Sequence, residues 1–150
     1  MKRWRSFIVI AAMLLGILGL SGCFGFAPVD VAGTWSGLIT WTSGPATEFT
    51  SPITLTLDQE EEETEITGQI GLMGPGSKAF SIAIIDGTAG NGSFTIEAAG
   101  VMDVITPPVN VEIDLEGKRD GITLSGTGTQ TNDGAPYTFD WRATLQAAAE

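Results

Sequence analysis

The sequence predicts an all-β chain: eight antiparallel strands joined as an up-and-down barrel, following a helical N-terminal leader. Three observations carry this. After residue 32, apolar residues recur at every second position in eight separate runs, the period of a strand with one buried face. The links between runs are mostly short and rich in Gly, Pro, Asn and Asp, and links of that length join antiparallel neighbours. No window beyond the leader shows a helical period. Eight hairpin-connected strands with apolar inner faces need cover. Closing the sheet on itself supplies it and removes both edges. A two-sheet β-sandwich is the alternative, because short hairpins also build one.

The chain opens Met1-Lys2-Arg3-Trp4-Arg5, a basic n-region, followed by an uncharged stretch from Phe7 to Leu20. That stretch has signal-peptide length and falls short of the roughly 20 apolar residues of a bilayer-spanning helix. It ends Leu20-Ser21-Gly22-Cys23, with the only cysteine in the chain. The motif resembles the lipobox of bacterial lipoproteins. The resemblance implies diacylglyceryl transfer to Cys23, cleavage before it and acylation of the new amine. Several acyl chains make a stable anchor at roughly 0.8 kcal/mol per buried methylene. The alternative is an uncleaved anchor running on through Phe26, interrupted by Gly16, Gly19, Gly22 and Gly25. In both readings the body is exported and the basic end stays in the cytoplasm. Phe24, not Asp, follows the cysteine, which by the sorting rule of Gram-negative lipoproteins implies the outer membrane where the host has one. The expected division is signal peptide 1–22, lipidated tether 23–32, barrel 33–146 and tail 147–150. Extended, the stretch from Phe24 to Ala32 would reach about 30 Å at about 3.3–3.6 Å per residue.

The first strand run is 33–42, with Trp35, Ile39 and Trp41 on one face. The second, 48–57, places Phe49, Ile53, Leu55 and Leu57 together, with Pro52 on the opposite parity suggesting an edge or bulge. Ile66, Ile70 and Leu72 alternate in 65–73, and Phe80, Ile82 and Ile84 in 79–85. Phe94 and Ile96 mark 93–99. The cleanest run is 109–116: Val109, Val111, Ile113 and Leu115 face one way, Asn110, Glu112, Asp114 and Glu116 the other. Ile122 and Leu124, then Gly126 and Gly128, mark 122–130. Tyr137, Phe139, Trp141, Ala143 and Leu145 mark 136–145.

Charge and absent residue types narrow the chemistry. After Cys23 four basic residues (Lys78, Lys118, Arg119, Arg142) stand against eighteen acidic ones, a net charge of −14. Such a surface repels nucleic acid and anionic headgroups. The chain has no histidine, and Cys23 is committed to lipid. Ser-His-Asp and Cys-His catalysis and His-ligated zinc are thereby excluded. No glycine-rich phosphate loop is present. The run from Asp58 to Glu65 matches no calcium-loop spacing, and a solvated hairpin tip accounts for it. Neither cofactor nor metal is expected, and the chain reads as non-enzymatic.

Gly33-Thr34-Trp35 at the start of an eight-stranded meander resembles the lipocalin and calycin barrels. In that family the Trp closes one end of the barrel and an Arg near the last strand packs over it. The resemblance implies barrel closure by Gly33, Trp35 and Arg142. The body is short for that family, and the second signature and the C-terminal helix are missing. A purely structural core role for Trp35 fits equally.

In a meander, alternate links share an end. The first, third, fifth and seventh carry Pro45, Pro75, Pro107 with Pro108, and Pro136, and lie opposite the tether. The fifth, 100–108, places Val101, Met102, Val104 and Ile105 on a loop, where apolar residues need something to cover. The candidate site is therefore the tether-distal end, lined by Trp41, Met73, Met102 and Tyr137, because loops on a rigid scaffold commonly bind. Eight-stranded barrels either fill with side chains or hold one small ligand. Gly68, Gly126 and Gly128 suggest room inside, whereas the many large inward residues suggest filling. The expected function is an envelope lipoprotein, membrane-bound through its N-terminal lipid, that binds a small hydrophobic ligand or lipid. A filled barrel acting as a protein-interaction or structural module is the alternative.

Overall fold

A computed structural model of the chain describes residues 27–147. Cys23, the leader and the start of the tether lie outside the described residues. Eight strands follow one another: β1 (Gly33–Trp41), β2 (Thr50–Asp58), β3 (Thr67–Gly74), β4 (Lys78–Ala89), β5 (Ser93–Met102), β6 (Val109–Asp120), β7 (Thr123–Asn132) and β8 (Ala135–Leu145), with a 3-10 turn at Pro75–Ser77. Each pairs antiparallel with the next. The ring closes between β1 and β8, from Trp35 opposite Leu145 to Trp41 opposite Phe139. The fold is a closed up-and-down barrel, which excludes the sandwich.

The alternation that marks each run also fills the interior. Ile39, Ile53, Leu55, Ile70, Ile82, Ile96, Ile113 and Leu115 are buried along successive strands, with Phe94, Phe139 and Trp141 among them. Two edge-to-face pairs tie the rings together: Phe94 with Trp141 at 5.9 Å and Trp41 with Phe139 at 5.1 Å between centroids. The inward glycines do not leave room. A Cβ on Gly128 would stand 2.5 Å from Cζ of Phe139, and one on Gly117 would stand 2.6 Å from Cζ2 of Trp141. A Cβ on Gly126 would meet the Glu116 carbonyl, and one on Gly68 the Thr56 carbonyl, both in the neighbouring strand's backbone. These glycines accommodate rings and close strand contacts, so the space they were expected to open is taken.

Two apolar residues depart from their expected faces. Phe49 precedes β2 in the 42–49 loop and is 70% exposed, because Glu48 turns the chain with φ 69° just before the strand begins. Ile122 lies in the β6–β7 turn and is 64% exposed. In β4 the register shifts between Ile84 and Asp86, which leaves Ile85 66% exposed and returns Ala89 to the core. The fifth link is shorter than expected, since β5 runs through Met102 and β6 resumes at Val109. Met102 is 5% exposed, and Val104 and Ile105 pack on the core, so this loop covers its own barrel.

The tether-side end is plugged by residues the sequence assigned to a free tether. Val31 is fully buried, and its carbonyl accepts from Nε1 of Trp35 at 2.8 Å. Each of the three hairpins at this end grips the segment. Gln59, from β2–β3, accepts from the Val31 amide through Oε1 at 2.8 Å and donates to the Val29 carbonyl through Nε2 at 3.1 Å. Gly90, from β4–β5, accepts from the Val29 amide at 2.8 Å. Arg119, at the end of β6, donates to the Asp30 carbonyl and lies 3.4 Å from its carboxylate. Its guanidinium sits 5.4 Å from the Trp35 ring centroid. Arg142 does not take the expected place over Trp35. It stands on an outward position of β8, opposite Leu38 and Ser125, with an exposed side chain. Gly33 adopts φ 124° as the chain enters β1, and a Cβ there would stand 2.8 Å from Leu145.

Candidate functional site

The opposite end of the barrel is built from the ends of β1, β3, β5 and β7, the start of β8 and the links between them. A cavity of about 630 Å³ opens there, within the range that accepts a small organic ligand. Trp41, Met73, Met102 and Tyr137 all line it, so the four residues expected to share a site do converge. Trp41, Met102 and Tyr137 sit at strand ends where the inward parity of their strands continues up to the mouth, whereas Met73, on the outward parity beside buried Leu72, reaches the rim from an exposed position. Trp41 is held edge-on against Phe139. Met102 and Val104 both approach Gly74, where a Cβ would stand 3.3 Å from Sδ of Met102 and 2.9 Å from Cγ2 of Val104. Tyr137 lies against Gly44, which adopts φ 85° and has no space for a side chain.

The first loop is pinned in place. The Thr42 and Ser43 amides both donate to the Thr138 carbonyl, at 2.9 and 3.2 Å, and Oγ of Ser43 accepts from the Thr138 amide at 2.8 Å. The Glu48 amide donates to the Trp41 carbonyl at 2.8 Å, closing the loop on itself. Phe49 is thereby held on the cavity rim rather than in the core, which makes it a lining residue. Across the mouth, Nζ of Lys78 donates to the Val104 carbonyl at 3.5 Å. The seventh link is a two-residue turn, Asp133-Gly134, with φ of 45° and 86° as a tight hairpin requires. Its carboxylate accepts from the Asn110 amide at 3.1 Å.

None of the lining residues is charged. Leu72, Phe80 and Met102 form much of the buried floor, together with one polar side chain, Gln130. Gln130 was legible as an exception: it follows Leu124, Gly126 and Gly128 on the inward parity of β7, where a polar residue is out of pattern. Below this floor the barrel is filled, so the cavity is a mouth and not a lumen. Among the described residues no group of acidic or cysteine side chains is arranged to hold a metal ion. The acidic 58–65 hairpin lies at the plugged end, where its Gln59 grips the incoming chain.

No protein-family model, curated protein or solved structure matches the chain.

Proposed function

We propose that this chain is an exported lipoprotein, anchored through Cys23, whose barrel binds a small hydrophobic molecule in its mouth without transforming it. The observation that carries this reading is the uncharged cavity in a body whose net charge is −14. A strongly acidic body with a concave, aromatic and methionine-lined mouth free of charge is suited to an apolar guest. Trp41, Phe49, Met73 and Met102 would supply contact area, and the pinned first loop limits the ordering cost of binding. The lining offers no carboxylate, imidazole, amine or thiol for acid–base or nucleophilic steps. The relation to lipocalin and calycin barrels is part of the proposal and rests on the architecture and on the Gly33, Trp35 and Arg119 cluster.

Native mass spectrometry of residues 27–150, expressed without the leader, tests the ligand reading. A copurified apolar mass at one per chain is expected, with loss on Met102→Asp. Phe49→Ala, at an exposed position, is expected to weaken binding about threefold or more while leaving the fold intact. A consistently bare protein that also takes up no apolar dye would overturn it. The filled interior favours a second reading, a protein-interaction module that uses the same rim. In that case Phe49→Ala would lose a protein partner and no small molecule would be found.

A further inference from the structure

Gln130 is 7% exposed and is the one polar side chain in the core of the described residues. It lies one inward step below Asn132, opposite Ile113 of β6 and Tyr137 of β8, and it lines the mouth cavity. Its Nε2 donates to Oδ1 of Asn132 at 2.8 Å, and no described group donates to its Oε1. Yet no fully enclosed side-chain polar atom among the described residues lacks a partner. The free end of the amide therefore borders open space, and the open space beside it is the cavity. A buried amide left without a partner is unfavourable, so a molecule that displaces water from this floor must replace the lost hydrogen bond.

Charge decides what kind of group does so. The lining holds no cation, and the exposed acids Glu48, Asp103 and Asp133 lie on the mouth-end loops. The cation at this end, Lys78, is exposed to solvent, donates to the Val104 carbonyl at 3.5 Å and is not part of the lining. A carboxylate entering among Phe49, Met73 and Met102 would lose its water with nothing of opposite charge to meet it. A hydroxyl is uncharged and can donate or accept, so it satisfies whichever end of the amide faces the cavity.

We infer, resting on the ligand reading above, that the site takes an uncharged, mainly apolar molecule bearing a hydroxyl. The hydroxyl lies on Gln130 and the chain runs outward along Met102, Met73 and Phe49.

Three ten-carbon photoactivatable diazirine probes test this on the full-length protein in its membrane: an alcohol, the matching carboxylate and the matching alkane. Labelled peptides are mapped by mass spectrometry. The alcohol is expected to label the segments holding Met73 and Met102 about tenfold or more above the carboxylate. It should also exceed the alkane about threefold or more, and Gln130→Leu should bring that second ratio to about one. Lys78→Met should leave both ratios unchanged. Carboxylate labelling equal to the alcohol's, alcohol labelling no better than the alkane's, or a ratio that survives Gln130→Leu each overturns the inference while leaving a ligand site in place. Labelling of the mouth by none of the three removes the ligand reading itself. The wild-type comparison decides the matter even where Gln130→Leu fails to fold.

Discussion

Arg119 and Arg142 are both arginines on late strands, and they do different work. Arg119 lies over the Trp35 ring, donates from Nε to the Gly121 carbonyl at 2.8 Å and holds the Asp30 carbonyl. Arg142 stands exposed on the outer surface. A cation over an aromatic face contributes about 0.5–2 kcal/mol, and each hydrogen bond adds about 0.5–1.5 kcal/mol. The carboxylate of Asp30 is mostly exposed, so its ion pair with Arg119 adds little. Arg119→Met is therefore expected to lower the unfolding free energy by about 1–2 kcal/mol, whereas Arg142→Met changes it by less than about 0.5 kcal/mol. Urea denaturation of the two variants checks this, and equal midpoints would refute the assignment. Parity contained the answer: Arg119 continues the odd-numbered series Val111, Ile113, Leu115. The apolar signal stops at Leu115, however, and Gly117 beyond it reads as a turn. Nothing apolar marks the last residues of β6, so Arg119 looked like part of a link.

At the scale of elements, strand identity was legible because burying one face of a strand leaves a period of two, and all eight runs appear as strands. Strand ends and bulges were not legible. Phe49 and Ile122 sit on the correct parity but outside a strand, and the irregularity after Ile84 reverses parity inside β4. The convergence of Trp41, Met73, Met102 and Tyr137 followed from strand direction and link order alone. The plug did not, because Val29, Asp30 and Val31 show no repeat, and what holds them are single groups on three distant hairpins. Gln59 is the main clasp, with bonds to the Val31 amide, the Val29 carbonyl and the Glu63 carbonyl. Gln59→Ala is expected to cost about 1–2 kcal/mol by removing them. Amide exchange at Val29 and Val31 should then accelerate, while the Trp35–Leu145 end of the barrel seam stays protected. Unchanged exchange at Val31 would mean that burial alone holds the plug. The inward glycines show a similar dependence on distant partners. Gly128→Ala would push a methyl into Phe139 and Leu115 and is expected to destabilise by about 1–3 kcal/mol, measurable as a lower thermal midpoint.

For the whole molecule, the plug turns an anchor into an orientation. On the proposed lipidation, only the six steps from Cys23 to Val29 separate the bilayer from the docked chain, at most about 20 Å when extended. The plugged end then stays near the membrane, and the mouth stands beyond it by the height of tilted strands, roughly 25 Å. On that proposal the acidic hairpin, Asp58 with Glu60 to Glu63 and Glu65, would face the lipid surface. Its charge repels anionic headgroups over about one Debye length, about 8 Å at physiological salt and about 30 Å at 0.01 M. The proposed lipidation would also consume the only native thiol, so a single introduced cysteine could carry a donor dye. With an acceptor dye on headgroups, a donor at Glu61→Cys should transfer energy more strongly than one at Ala46→Cys on the mouth loop. With anionic vesicles, lowering the salt should weaken transfer from Glu61→Cys, whereas neutral vesicles should show no such change. Stronger transfer from Ala46→Cys would turn the mouth toward the membrane and make direct uptake from that leaflet the natural route. The expected order instead presents the ligand mouth to the compartment beyond the anchor, so a guest would enter from water, from a facing membrane or from another protein.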